Sequence, residues 1–189
     1  VGSQGVGIYS KESDISLDGG YAGTFELGEK STGIYIDEKS ALSGMGTINI
    51  KYAGVDKGVG LFYKEGVRNN QVNITHDISN DNLINIYGEN LSLTNNAQQT
   101  VGKNGIGIYV TGTSLKPSTV VNNEELNLDG EKSIGIYAKD NTTITSLGTI
   151  IGTNSKNDKI GIFLDGGDIA GSLNYTFDVD GGIGIYMKE

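Results

Sequence analysis

Gly105-Ile-Gly-Ile-Tyr109 and Ser133-Ile-Gly-Ile-Tyr137 are two sayings of one phrase. Its core recurs at Gly7-Ile8-Tyr9, Gly33-Ile34-Tyr35, Gly60-Leu61-Phe62, Gly107-Ile108-Tyr109, Gly135-Ile136-Tyr137, Gly161-Ile162-Phe163 and Gly184-Ile185-Tyr186. A degenerate copy, Asn85-Ile86-Tyr87, fills the one wide gap. The steps between first positions are then 26, 27, 25, 22, 28, 26 and 23 residues. Self-similarity at a period of about 25 residues is the mark of a stacked repeat architecture. Such a chain presents an extended surface more often than an enclosed pocket.

One repeat shows what each coil contains. From Gly135 the chain reads Gly-Ile-Tyr-Ala, then Thr142-Thr-Ile-Thr145, then Thr149-Ile-Ile151, with Asn, Asp, Gly and Ser between the runs. β-branched and aromatic residues favour strands, and the intervening types favour turns. No helical period appears. In the other repeats the second run is read at Ile15-Ser-Leu17, Val72-Asn-Ile74, Leu91-Ser-Leu93, Val120-Val121 and Ile169-Ala170. The third is read at Thr24-Phe-Glu-Leu27, Thr47-Ile-Asn-Ile50, Leu126-Asn-Leu128 and Tyr175-Thr-Phe-Asp-Val179. Three short strands per coil predict an all-β fold, a right-handed parallel β-helix of about seven coils, with residues 1–189 forming one domain. At about 4.8 Å per coil the rod is roughly 34 Å long.

Alternation along the signature strand assigns the faces. Ile8, Ile34, Leu61, Ile86, Ile108, Ile136, Ile162 and Ile185, with the residues before each glycine, form aliphatic columns that belong inside. The opposite face then carries an external aromatic ladder: Tyr9, Tyr35, Phe62, Tyr87, Tyr109, Tyr137, Phe163 and Tyr186. It also carries a groove of glycines under the rings, and a column Lys11, Asp37, Lys64, Glu89, Thr111, Lys139, Asp165, Lys188 whose signs alternate wherever both neighbours are charged. The ladder has two compatible readings. Rings can protect the bare backbone of neighbouring glycines. They can also form a stripe that binds a sugar face or a protein, because exposed apolar stripes of this length mark contact sites.

Composition narrows the function. The net charge is −9, with one arginine among fourteen basic residues, and the pI is near 4.6. Nucleic-acid binders carry a basic face, so this balance argues against one. There is no cysteine, which removes disulfides and thiolate chemistry. No apolar run is long enough to cross a membrane as a helix. His76, beside Asp77, has no nucleophile or metal-ligand pattern around it, and no P-loop, dinucleotide fingerprint or serine elbow is present. We therefore expect no cofactor, no metal and no catalytic residues. The acid–lysine dipeptides Glu29-Lys30, Asp56-Lys57, Glu131-Lys132 and Asp158-Lys159 read as solvated turn edges.

The phrase G-[IVL]-[GS]-[IL]-[YF]-x-[KD], repeated with Asn- and Lys-rich turns, resembles the passenger domains of large fusobacterial type V autotransporters. The likeness covers essentially the whole chain. It implies a surface-exposed β-helix used in adhesion, anchored to the bacterial outer membrane by a barrel that this sequence does not contain. It implies a cell-surface protein or glycan as partner, and flanking coils of the same longer chain as axial neighbours. A passive stalk displaying a functional domain elsewhere is the alternative. A polysaccharide-active enzyme would need clustered carboxylates with a basic partner, which scattered acids and a single arginine do not supply.

Overall fold

The computed structural model describes residues 1–17, 20–52, 54–76, 81–152, 158–171 and 176–188. Among these there is no helix, and every pairing between named strands is parallel. The chain is a β-solenoid of about seven turns built on three sheets, as the periodicity predicts.

The first sheet contains all eight copies of the phrase, in the order Val6–Ser10, Thr32–Ile36, Gly58–Asn70, Leu83–Asn95, Ile106–Gly112, Ile134–Asp140, Ile160–Asp165, Ile183–Lys188. Its register carries Ile34 onto Leu61, Leu61 onto Ile86, Ile86 onto Ile108, and so on to Ile185. The degenerate copy at Asn85 is therefore in phase. The third sheet stacks Tyr21–Leu27, Gly46–Tyr52, Val72–His76, Gln99–Val101, Leu126–Leu128, Thr149–Ile151 and Thr176–Asp178. Tyr175, read as the first residue of that last run, lies outside the described residues, as do Asp18 and Asp77.

The second side departs from the sequence reading. Val72-Asn-Ile74 belongs to the third sheet, where it pairs with Gly46–Tyr52. In that coil the second side is instead the far half of the strand Gly58–Asn70, which turns the corner without leaving the sheet. Leu83–Asn95 does the same; Ser118–Asn122 stacks on it, and Thr142–Ser146 stacks on Ser118–Asn122. Two left-handed residues, Glu65 (φ 45°) and Gly66 (φ 88°), make the first of these corners, and Asn90 (φ 54°) makes the second. One residue in this conformation redirects the chain sharply, and Gly and Asn adopt it at least cost. Such residues also precede most signature strands, at Lys30, Asn82, Asn104, Lys132 and Asp158.

One of the two aliphatic columns lies inside; the other, before each glycine, does not, since Thr32, Val59, Ile134 and Ile160 are only half-buried and Val6 and Ile183 exposed, the adjacent glycine taking the inward place. Ile34, Leu61, Ile86, Ile108, Ile136 and Ile162 are fully buried, and Ile48, Ile74, Leu126 and Ile150 meet them from the third sheet. Burying a side chain of this size contributes about 1.5–3 kcal/mol. Tyr63 fills the interior where its register partner is Gly88, a large residue against a small one.

Candidate functional site

The ladder forms as the alternation predicts. The eight aromatic residues are register partners across the whole first sheet, and every adjacent pair is in ring contact. Centroid separations run from 4.6 to 5.1 Å, and six of the seven contacts are stacked with planes within 28° of parallel. The coil step imposes this distance, because adjacent parallel strands lie about 4.8 Å apart. Each ring pair is worth about 0.5–1.5 kcal/mol beyond its buried area.

The stacking decides what the stripe offers to a ligand. Each inner ring has both faces covered by its neighbours, so its outward part is an edge and, for tyrosine, a hydroxyl. The first and last rings each have one ring neighbour within these residues, and Tyr9 is 60% exposed and Tyr186 42%. Tyr137 Oη donates to Asp165 Oδ2 at 2.8 Å. Burial, then this hydrogen bond to a carboxylate, pushes the Tyr137 phenol well above its ordinary range. Burial and Glu89 do the same for Tyr87, and burial, then Asp140 and Asp165, raises Tyr109. These phenols stay neutral.

The glycines do not form an outer groove. Gly33, Gly60, Gly107, Gly135 and Gly161 are buried. A Cβ built on Gly135 would lie 2.6 Å from the Gly161 carbonyl oxygen and 3.2 Å from Ile150 Cδ1; one on Gly107 would lie 2.7 Å from the Gly135 oxygen. The glycine column therefore faces the coil above and the core of the third sheet. Strict alternation fails here because the phrase begins in the corner. Asn85, the one side chain in this column, donates from Nδ2 to the Thr100 carbonyl at 2.9 Å.

The charged column keeps its register, with Lys64 beside Glu89 and Asp165 beside Lys188. Among these pairs only the second closes, Lys188 Nζ to Asp165 Oδ1 at 3.2 Å. Asp37 turns into its own corner instead. There Ser40 Oγ (2.9 Å) and the Lys39 amide (3.0 Å) donate to it. Burial opposes its ionisation, but these hydrogen bonds outweigh that and hold the carboxyl below its ordinary value. Two acid–lysine turns meet each other, Lys30 Nζ lying 2.7 Å from Asp56 Oδ2.

Two further ladders escaped sequence reasoning. Inside, Asn70 Nδ2 donates to Asn95 Oδ1 at 2.7 Å, and Asn95 Nδ2 donates to Asn122 Oδ1 at 2.7 Å, all three residues being fully buried. Outside, Asn123 donates to Asn96 and Asn96 to Asn69, each at 2.7 Å. The signal was their spacing, which matches the coil step. Arg68, the only arginine, is also structural. Its guanidinium donates to the carbonyls of Asp37 (2.6 Å), Lys64 (2.6 Å), Glu65 (2.7 Å) and Ser40. His76 lies buried in the third sheet, its Nδ1 accepting from the Gly102 amide at 3.1 Å. It does not join the ladder. No family model, curated protein or solved structure matches the chain.

Proposed function

We propose that this chain is a structural and adhesive β-helix module displayed on a bacterial cell surface, where its side contacts a cell-surface protein or glycan. In this reading it is not an enzyme. It belongs to an autotransporter passenger anchored in the outer membrane by a barrel in another part of the protein, and further coils of the same chain are its axial partners. The observation that carries the reading is the unbroken ladder of eight rings on one outer face of a stiff rod. Repeat rods commonly use such a continuous face for recognition. The closed inner ring faces favour a second reading, a passive stalk, because a sugar cannot lie flat on a ring already covered on both sides.

The two readings separate on one variant. Tyr137→Ala removes a ring and its bond to Asp165. In an adhesive module, glycan-array and whole-cell binding should fall well beyond the modest loss of stability, as for an aromatic anchor. In a stalk, unfolding shifts and the isolated chain binds nothing. Cleavage of polyuronates by the purified chain would overturn both readings.

A further inference from the structure

The ladder brings phenols together in a way no other tyrosine of the described chain shares. Tyr9 and Tyr35 stack at 4.9 Å and 28°, Tyr87 and Tyr109 at 4.9 Å and 8°, and Tyr109 and Tyr137 at 4.9 Å and 22°. Phe62 and Phe163 break the series, so no other two ladder tyrosines are adjacent. Within each pair the Cα atoms are register partners. Near-parallel planes then bring the ortho edge of one phenol alongside that of the next. These rings are only partly buried, so their edges are open to an oxidant. Tyr137 already donates its phenolic hydrogen to Asp165, a proton acceptor in place for oxidation. Tyr52 and Tyr63 are buried, and Tyr21 is 44% exposed but stacks on no ring.

The geometry points to oxidative tyrosine coupling: a one-electron oxidant joins Tyr9 to Tyr35, Tyr87 to Tyr109, and Tyr109 to Tyr137 as dityrosine, welding consecutive coils. Hydrogen peroxide acting through a haem peroxidase is such an oxidant. Each of two phenols gives up one electron and its phenolic proton, and the peroxide is reduced to two waters. The two radicals form one carbon–carbon bond between ortho positions. Each ortho hydrogen then moves to its own oxygen and restores the phenol, so the cross-link is lighter by two hydrogens. Held neighbours couple faster than freely diffusing ones, because the encounter is already made. The chain has no cysteine, so this is a covalent staple it can form where a disulfide is impossible. Like a disulfide, it restricts the unfolded chain and raises the unfolding midpoint.

The test treats the purified chain with haem peroxidase and hydrogen peroxide, then sequences cross-linked peptides by mass spectrometry. The expected products are intramolecular and confined to those three pairs, with the monomer band retained on denaturing electrophoresis. Tyr109→Phe keeps the stacked ring but should abolish the two central cross-links and leave Tyr9–Tyr35. Phe62→Tyr should add links to Tyr35 and Tyr87. Coupling led by the exposed Tyr21, coupling mainly between chains, or the same pattern in concentrated urea would overturn the proposal. So would the absence of ladder cross-links.

Discussion

Gly135→Ala is the substitution on which the account of the glycine column stands or falls. Strand propensity alone predicts a gain, because glycine in a strand is worse than alanine by roughly 0.5–1 kcal/mol. The structure predicts a loss. The new methyl would stand 2.6 Å from the carbonyl oxygen of Gly161 and 3.2 Å from Ile150 Cδ1. The first is backbone of the neighbouring coil, itself hydrogen-bonded into the sheet, so it cannot rotate aside. Relief requires two coils to separate locally, and overpacking of this kind costs about 1–3 kcal/mol. For a chain of 189 residues that is a fall in Tm of about 3–10 °C. Thermal unfolding followed by circular dichroism measures it. Asn85→Gly is the companion, since the degenerate copy would simply join the glycine column. It loses one amide bond but also removes a buried Asn85 Oδ1 that has no partner, so its Tm should stay within a few degrees. A Gly135→Ala midpoint equal to wild type or higher would refute the inward-facing column and return the glycine to the outer surface.

Ile136→Asp puts a carboxylate at a fully buried position of the central core and should cost more than about 4 kcal/mol, read as loss of the cooperative transition or of soluble protein; an unchanged midpoint would mean the faces are reversed. Asn95→Ala cuts the internal amide ladder in its middle and leaves Asn122 Oδ1 without its donor, which should cost about 2–4 kcal/mol in urea unfolding, whereas Asn96→Ala on the outer ladder should cost under about 1 kcal/mol. The Asp165 carboxyl is held below its ordinary value of 3.8, first by the Tyr137 hydroxyl and then by Lys188. A depressed folded pKa means stability present above that ordinary value and lost as the pH falls through the lower folded one. Midpoints measured down the acid range should therefore decline less steeply in Asp165→Asn and Tyr137→Phe than in wild type, and parallel curves would count against the Tyr137–Asp165 bond.

The sequence made the coil step and the inner column of Ile136 legible because both rest on strict spacing, while the column before each glycine, expected inside, is not. Even Asn85 could be phased, since its isoleucine and tyrosine kept their places. What it hid lies at the corners. Alternation assumes an extended strand, and the phrase begins where the chain is still turning, so Gly135 points inward while Tyr137 points out. Val72 reads as a second-side residue in sequence because Gly58–Asn70 rounds its corner with no break beyond Glu65-Gly66. The three buried asparagines fall between the strand runs, where asparagine favours turns, and a polar side chain gives no sign of its burial until its neighbours in the coils above and below are known. Arg68 reads in sequence as one more charge, although a guanidinium can be buried when four carbonyls converge on it, and only the folded corner supplies them.

A stacked repeat selects residues by how well each pairs with its own copy one coil away. Isoleucine on isoleucine packs. An aromatic ring on a ring stacks at the distance the sheet imposes. Asparagine is both donor and acceptor, so a column of them bonds end to end, and here it does so both inside and outside the wall. Glycine lets one backbone approach the next. A charge is the residue that cannot face its copy, and the column beyond the ladder accordingly alternates from Lys64 to Glu89 and from Asp165 to Lys188. The same rule marks the exceptions as places where a coil differs from its neighbours. Tyr63 stands against Gly88, Asn85 among glycines and His76 beside Ile50, so two of the three lie in the 25-residue coil from Gly60, and Asn85 opens the shortest step, of 22 residues.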